Sequence, residues 1–360
     1  MNLPVPLKLA DVRSVLFIRI KSLGDTVLFT PTIANFKRAC PEARLTVLVD
    51  EGSASVLADN TDIDEIIVCP SSNRPDRLLG FALKLIRRRF DLAIDFHGGP
   101  RGALATLLSG AKYRVGWQES RHSFIYNVRV PRAREVLRTT SVIHTVAKNL
   151  AQLAALGVPI VLTATRLFVG PDERRSLEAK LSAAGIDGRK PILLVHVGAT
   201  KKRKEYPAER LARVLNLYVK EGTMQPLMLG STDDLPRWEL IREPLSDEAR
   251  ERVASLVGKI SISEVKALCE ISAVFVGPDS GLMHIADALG TSCVALFGKT
   301  ELRLWHPWQS THVVLRPCAE VTCKTSCPHY WTRQGCLGLI SEDEIAASIL
   351  ELEALRVCRP

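Results

Sequence analysis

The sequence predicts an α/β protein built from two doubly wound domains, and three observations lead there. The chain has 360 residues, which is about two domains at roughly 150 residues each. Short, nearly continuous apolar segments alternate with longer segments of helical periodicity, as parallel strands do when crossover helices cover both sheet faces. That alternation breaks off between Pro159 and Pro171 and then starts again.

The first strand is Ser14-Val-Leu-Phe-Ile-Arg-Ile20, feeding a short loop, Lys21-Ser-Leu-Gly-Asp25. Thr26 to Arg38 reads as one helix with Pro31 near its first turns. Leu45–Val49 and Glu65–Val68 follow as strands. Leu78 to Arg89 reads as a helix with Phe81, Leu85 and Ile86 on its apolar face, and Arg87-Arg-Arg89 suits the negative end of its dipole. Leu92–Phe96 is a strand ending in the turn His97-Gly-Gly-Pro100. A helix from Arg101 to Leu108, a strand from Tyr113 to Trp117 and a helix from Val142 to Leu156 complete this half. Glycine and proline punctuate both ends of the connection from Pro159 to Pro171.

The second half repeats the scheme. Strands are expected at Pro191–His196, Pro226–Gly230, Ala273–Gly277 and Ser292–Phe297. Helices are expected at Pro207–Lys220, Ser263–Cys269 and Gly281–Leu289. Ser341-Glu-Asp-Glu344 has the Ser-to-Glu spacing of a capping box and opens a last helix to about Leu355. The expected division is 1–165, 166–340 and a C-terminal helix, 341–360.

With 46% apolar and 24% charged residues, the composition excludes wholesale disorder. No apolar run reaches the roughly 18 residues of a membrane-spanning helix. Met1 to Ala10 holds two prolines and no signal-peptide apolar core, so a cytoplasmic protein without a transmembrane segment is expected. The net charge of +9 is lopsided: residues 1–165 carry 22 Lys+Arg against 14 Asp+Glu, while the rest carry 26 against 25. A basic half suits nucleic acid, an anionic membrane surface or an anionic substrate, or simply solvates the surface. No zinc-finger spacing and no aromatic RNA-binding strand motif is present, which weighs against nucleic acid. Cys269 and Cys293 sit in apolar stretches and read as core thiols. Cys318, Cys323, Cys327 and Cys336 cluster as C-x4-C-x3-C-x8-C. Lacking the C-x2-C knuckle, they read as reduced loop thiols sooner than as a metal site.

Ligands of doubly wound sheets bind beyond the carboxyl ends of the strands, so the candidate residues are sought there. Gly277-Pro-Asp-Ser-Gly281 joins a buried strand to a helix start, where unpaired N–H groups can hold a phosphate. Asp279 and Ser280 serve equally well as ordinary N-caps. Asp279 would repel a diphosphate and suits hydroxyls or donors better. His284, four residues past Ser280, reads as a packing histidine when taken alone. Thr200-Lys-Lys-Arg-Lys204 is either a solvated loop or an anion site, and Lys204 is placed to lean over the strand end. The mirror loop, Lys21 to Asp25, lacks both the Walker and the G-x-G-x-x-G pattern. It offers Gly24 for close approach and Asp25 as a general base or a cap. His97-Gly-Gly-Pro-Arg101 is a third turn of this kind.

Several of these segments together resemble glycosyltransferase family 9, the lipopolysaccharide heptosyltransferases. They are Arg19-Ile-Lys-Ser-Leu-Gly-Asp-Thr-Val-Leu-Phe-Thr-Pro31, Asp95-Phe-His-Gly-Gly-Pro-Arg-Gly-Ala103, His196-Val-Gly-Ala-Thr200, Val276-Gly-Pro-Asp-Ser-Gly-Leu-Met-His-Ile-Ala-Asp-Ala-Leu-Gly-Thr291, Ala295-Leu-Phe-Gly-Lys-Thr300 and Cys336-Leu-Gly-Leu-Ile340. The resemblance spans about Val15 to Leu350. Two departures are Lys299, where the family often has proline, and a first loop one residue shorter before its glycine than in some members.

The resemblance implies a GT-B architecture, two Rossmann-like domains facing a central cleft, with a last helix that commonly packs back on the first domain. It implies inverting transfer of heptose from ADP-L-glycero-D-manno-heptose to a lipopolysaccharide inner-core sugar, with no cofactor and no essential metal. Asp25 falls on the family's general base. Lys204, Thr200, Asp279, Ser280, Gly281, Leu282 and His284 fall on the donor side. Ser22, Gly24, His97 and Arg101 fall on the acceptor or cleft loops. The implied partners are the nucleotide-sugar and an anionic core acceptor at the inner face of the inner membrane. Two alternatives are a protein-modifying heptosyltransferase, suggested by the cysteine cluster, and a non-catalytic nucleotide- or glycan-binding module.

Overall fold

A computed structural model of the chain describes residues 7–71, 74–199, 201–318 and 336–357. The chain divides into two compact units between Phe168 and Val169, three residues beyond the boundary expected from the sequence.

The first unit runs β1 (Ser14–Ile18), α1 (Leu23–Val27), α2 (Thr30–Ala39), β2 (Arg44–Asp50), α3 (Glu51–Ala54), β3 (Glu65–Cys69), α4 (Pro75–Arg88), β4 (Leu92–Asp95), α5 (Pro100–Leu108), β5 (Tyr113–Trp117), β6 (Val128–Val130), α6 (Ala133–Val136) and α7 (Thr145–Ala154). Its six strands are all parallel, in the order β3-β2-β1-β4-β5-β6. β1 is buried on both faces because its side chains alternate between two cores. Val15 and Phe17 enter one, and Leu16 and Ile18 the other. Phe17, Phe29, Phe36 and Phe96 pack in the first of these. Phe17 meets Phe36 and Phe96 edge to face at 5.0 Å between centroids, a geometry that adds about 1 kcal/mol per pair beyond area burial.

The second unit runs α8 (Pro171–Ala183), β7 (Ile192–His196), α9 (Ala208–Glu221), β8 (Gln225–Leu229), α10 (Leu235–Arg242), α11 (Asp247–Arg252), β9 (Ala254–Ser255), α12 (Ile262–Ile271), β10 (Val274–Pro278), α13 (Gly281–Ala288), β11 (Ser292–Leu296), α14 (Leu302–Trp305), β12 (His312–Leu315) and α15 (Glu342–Val357). Its order, β12-β11-β10-β7-β8-β9, is the same winding as in the first sheet. In each sheet the strand order reverses at one place, between β1 and β4 and between β7 and β10. Those switch points leave a crevice at the strand carboxyl ends.

Two sequence expectations are corrected. Thr26 to Arg38 is not one helix. α1 ends at Val27 and α2 begins at Thr30, with Pro31 in the second helix's first turn, where its missing N–H costs nothing. The expected loop at Leu23–Asp25 is accordingly helical, because Ser22 and Asp25 form a capping box. Ile86 lies on the apolar face expected of this helix, but much of that face is exposed and only Leu85 of α4 is fully buried. The short edge strands β6, β9 and β12 carry too few residues to show a period, and the sequence reading passed over them. Within the second unit the last helix, α15, packs against α9 and β10–β12. Ile345, Ile349 and Leu352 enter that unit's core, while Glu342 pairs with Arg210 and Glu353 accepts from Tyr218 Oη at 2.8 Å. Cys269 and Cys293 are buried as expected.

Asp287, fully buried on α13, accepts from the N–H groups of Trp308, Gln309 and Ser310 at 2.8, 3.0 and 2.8 Å and from Ser310 Oγ at 2.8 Å. Its removal takes the carboxylate acceptor from three amides, at about 1 kcal/mol for each hydrogen bond lost. Asp287→Ala is expected to lower the urea midpoint and to speed amide exchange at residues 308–310. Unchanged exchange there would remove the clamp from the account.

Candidate active site

The site residues of the first unit gather at the β1/β4 switch point. β1 ends at Ile18, and Arg19 turns its guanidinium under the loop. One nitrogen donates to Phe96 O at 2.5 Å and the other pairs with Asp25. Asp25 sits at the third position of α1, where its second oxygen accepts from Ser22 N at 3.1 Å and Ser22 Oγ at 3.0 Å. The carboxylate is therefore both a helix cap and the partner of a buried cation, and it keeps partial access to solvent, with 19% of its side-chain surface exposed. Gly24 is buried inside α1 and Ser22 is exposed.

Asp95 closes β4 and is fully buried. It accepts from His97 N at 2.8 Å, Gly98 N at 2.9 Å and Tyr126 Oη at 2.7 Å. Burial raises its pKa above the usual carboxylate range, against the pull of those hydrogen bonds. Burial also pushes Arg19 down to about 10, with Asp95 opposing, so Arg19 stays a cation at neutral pH. A Cβ at Gly102 would lie 2.5 Å from Asp95 Oδ1, which explains the glycine in this turn. The His97 ring bonds the backbone of Lys21 and is held below its ordinary pKa chiefly by burial. It thereby ties the loop after β4 to the loop after β1. Arg101 is exposed in the first turn of α5 and makes no ion pair among the described residues.

The β7/β10 switch point carries the second set. Lys204, in a helical turn at Lys202–Lys204, reaches Asp279 Oδ2 at 2.5 Å and Asp279 O at 3.3 Å. Asp279 was expected to suit hydroxyls or donors better than a diphosphate, and in the structure it accepts from this ammonium. Two of the three ammonium protons are so engaged, and among the described residues the third has no further hydrogen bond. Ser280 caps α13, its Oγ accepting from Met283 N at 3.4 Å and lying 3.3 Å from His196 Nδ1. Gly281 and Leu282 are the first two residues of α13, whose amides precede any intrahelical bond. His284 is buried beside Trp305, and burial lowers its pKa. Thr200, Cys323 and Cys327 lie outside the described residues. Cys318 is exposed and Cys336 half-buried.

Sequence reasoning missed Arg19, Asp95, Tyr126 and His196 as members of these sets. The first, second and fourth are charged or polar residues at the end of otherwise apolar strands, which is a readable signal. Tyr126 carried none.

His196 is buried, and desolvation depresses its pKa to about 4. The unfolded chain binds this proton near pH 6.5. The native state is therefore fully favoured above that value and loses stability as pH falls from about 6.5 to 4, by roughly 3 kcal/mol in all. His97 and His284 shift in the same direction, so the comparison is between wild type and His196→Gln. The variant is expected to show the smaller loss across that window. Equal slopes would exclude His196.

The profile of glycosyltransferase family 9 (heptosyltransferase) matches residues 79–329. Lipopolysaccharide heptosyltransferase 3 of Escherichia coli is 23% identical over 303 residues, covering 81% of this chain and 85% of that protein. The crystal structure of the family 9 glycosyltransferase from Veillonella parvula superposes with a TM-score of 0.81 at 20% identity, over 97% of this chain and 99% of that one. The structure of E. coli ADP-heptose lipopolysaccharide heptosyltransferase II gives 0.76 at 20% identity, over 96% and 100%. Arg19, Asp25, Asp95 and the Lys204–Asp279 pair thus stand on the fold of these enzymes, and the chain belongs to glycosyltransferase family 9.

Proposed function

We propose that this enzyme transfers heptose from ADP-L-glycero-D-manno-heptose to a lipopolysaccharide inner-core sugar, with inversion at the anomeric carbon and Asp25 as general base. The observation that carries the reading is the position of Asp25. It is a partly exposed carboxylate at a switch point, oriented by Arg19 and Ser22. In the proposed step an acceptor hydroxyl attacks the anomeric carbon. A new carbon–oxygen bond forms, and the bond to the β-phosphate oxygen breaks. ADP leaves with that electron pair, and the hydroxyl proton passes to Asp25.

The donor diphosphate is read onto the second unit. Lys204 has one ammonium proton free of Asp279, and the amides of Gly281 and Leu282 open at the start of α13. Together they supply countercharge to the leaving group, and on this reading no metal or other cofactor takes part. Arg101 and the basic stretch from Lys112 to Arg138 are the acceptor contacts, matching an anionic, phosphorylated core. Among the described residues no helix is long and apolar enough to cross a membrane.

Asp25→Asn keeps an oxygen for Ser22 N–H and is expected to fold. Its turnover should fall by about 10²–10⁴-fold while ADP still binds in a calorimeter. Turnover near that of the wild type would reject Asp25 as the base. Lys204→Gln acts on the other unit, and ADP affinity is expected to fall about tenfold, the loss of roughly one charge-assisted hydrogen bond. An unchanged dissociation constant would take Lys204 out of the donor site.

A further inference from the structure

α4 is an apolar helix that the protein scarcely covers. Leu79 is 62% exposed and Ile86 48%, and Leu78 and Leu83 are exposed beside them. α5 packs next to α4, and both rest on the sheet face formed by Leu16 and Ile18, through Leu85 and Ala105. α5 presents Leu104 and Leu107, each more than half exposed. The turn Ser123–Ile125, in contact with α5, presents Phe124, 75% exposed. Soluble monomers rarely leave so many large apolar side chains together in water.

Among the described residues, the charge on α4 and α5 that stands outside ion pairs and the site is cationic. Between Arg74 and Leu108 the sequence has three carboxylates, and none is left to repel an anion there. Asp76 pairs with Arg74. Asp91 accepts from the N–H groups of Arg13 and Ser14 at 2.9 and 2.8 Å. Asp95 is buried in the site already described. On the cationic side, Lys84 and Arg88 are taken by Glu65. Arg77, Arg87 and Arg89 are exposed and make no ion pair among the described residues.

We propose that α4, α5 and the turn at Phe124 form a docking face for an anionic phospholipid surface. Leucines and a phenylalanine flanked by unpaired arginines fit the boundary between acyl chains and acidic headgroups. A protein groove would match the apolar part alone. The placement serves catalysis as well. Helices of parallel sheets run opposite to their strands, so α4 and α5 both begin at the strand carboxyl ends where Asp25 and His97 lie. A surface lying along these helices brings a lipid-linked acceptor to that end of the first unit. The inference rests on the reading above for its acceptor, but the binding it asserts needs no turnover.

The test is co-sedimentation of the full chain with vesicles of phosphatidylglycerol and phosphatidylethanolamine, against vesicles of phosphatidylcholine alone. The wild type is expected to partition onto the anionic vesicles, less so in high salt, and hardly onto the neutral ones. Leu79→Gln/Leu83→Gln and Arg77→Glu/Arg87→Glu are each expected to lower partitioning about tenfold or more. These positions are exposed, and heptosyl transfer to a delipidated core oligosaccharide is expected to be unchanged in both variants. Equal partitioning onto both vesicle types, none onto either, or variants that bind like the wild type would overturn the proposal. So would light scattering that shows a wild-type dimer which Leu79→Gln/Leu83→Gln dissociates, since the face would then join two copies. Failure of the wild type to transfer heptose to the delipidated acceptor would strike the catalytic reading and leave the vesicle result standing.

Discussion

The buried carboxylate of Asp95 is the group around which the first unit's site is assembled. Removing a charged group from water costs several kcal/mol unless partners replace the hydration. Here His97 N, Gly98 N and Tyr126 Oη do so. Each partner has a structural result. The two amides fold the turn after β4 into its observed course, and the tyrosine ties β4 to the segment before β6. Arg19 then feels the negative charge of Asp95 while bonding Phe96 O, and its other arm fixes Asp25. The orientation of Asp25 thus traces back to a side chain that never meets solvent. Gly102 is the steric condition for the whole arrangement.

The second unit reaches a comparable end by a different route. Its strand-end charge is not buried within a network of amides. It is held between Lys204 and Asp279, on segments 75 residues apart in sequence. Asp279 holds the ammonium of Lys204, so the carboxylate at this helix start is countered by a cation. His196, uncharged at neutral pH through burial, lies against Ser280 without adding a further cation. The two switch points therefore differ in chemistry while sharing a sheet order: one presents an oriented carboxylate, the other an oriented ammonium and open amides.

Much of this was legible in the sequence, for reasons that differ by element. β1, β4, β7 and β10 are wrapped on both faces, so their apolar runs are unbroken and their ends are sharp. The strand-to-helix turn at Gly277–Gly281 was legible because its residue types are demanded by the backbone. The break between α1 and α2 was not, since Val27, Leu28 and Phe29 are all buried and carry the apolar pattern straight through the bend. The exposure of Ile86 was not legible, because periodicity records which face of a helix is apolar. It does not record whether anything covers that face. The ion pairs of Arg19 and Lys204 depend on tertiary placement, and a sequence shows only that the charges exist.

The second unit draws part of its floor from α15. Ile345, Ile349 and Leu352 fill its core, and Glu353 satisfies Tyr218 Oη and the amides of Thr223 and Met224. During translation the two halves consequently mature on different schedules. The first unit's own residues have all been made once Phe168 has left the ribosome. The second unit keeps α9 and β10–β12 partly bare until α15 emerges, so the nascent chain exposes part of that core until its last helix is made.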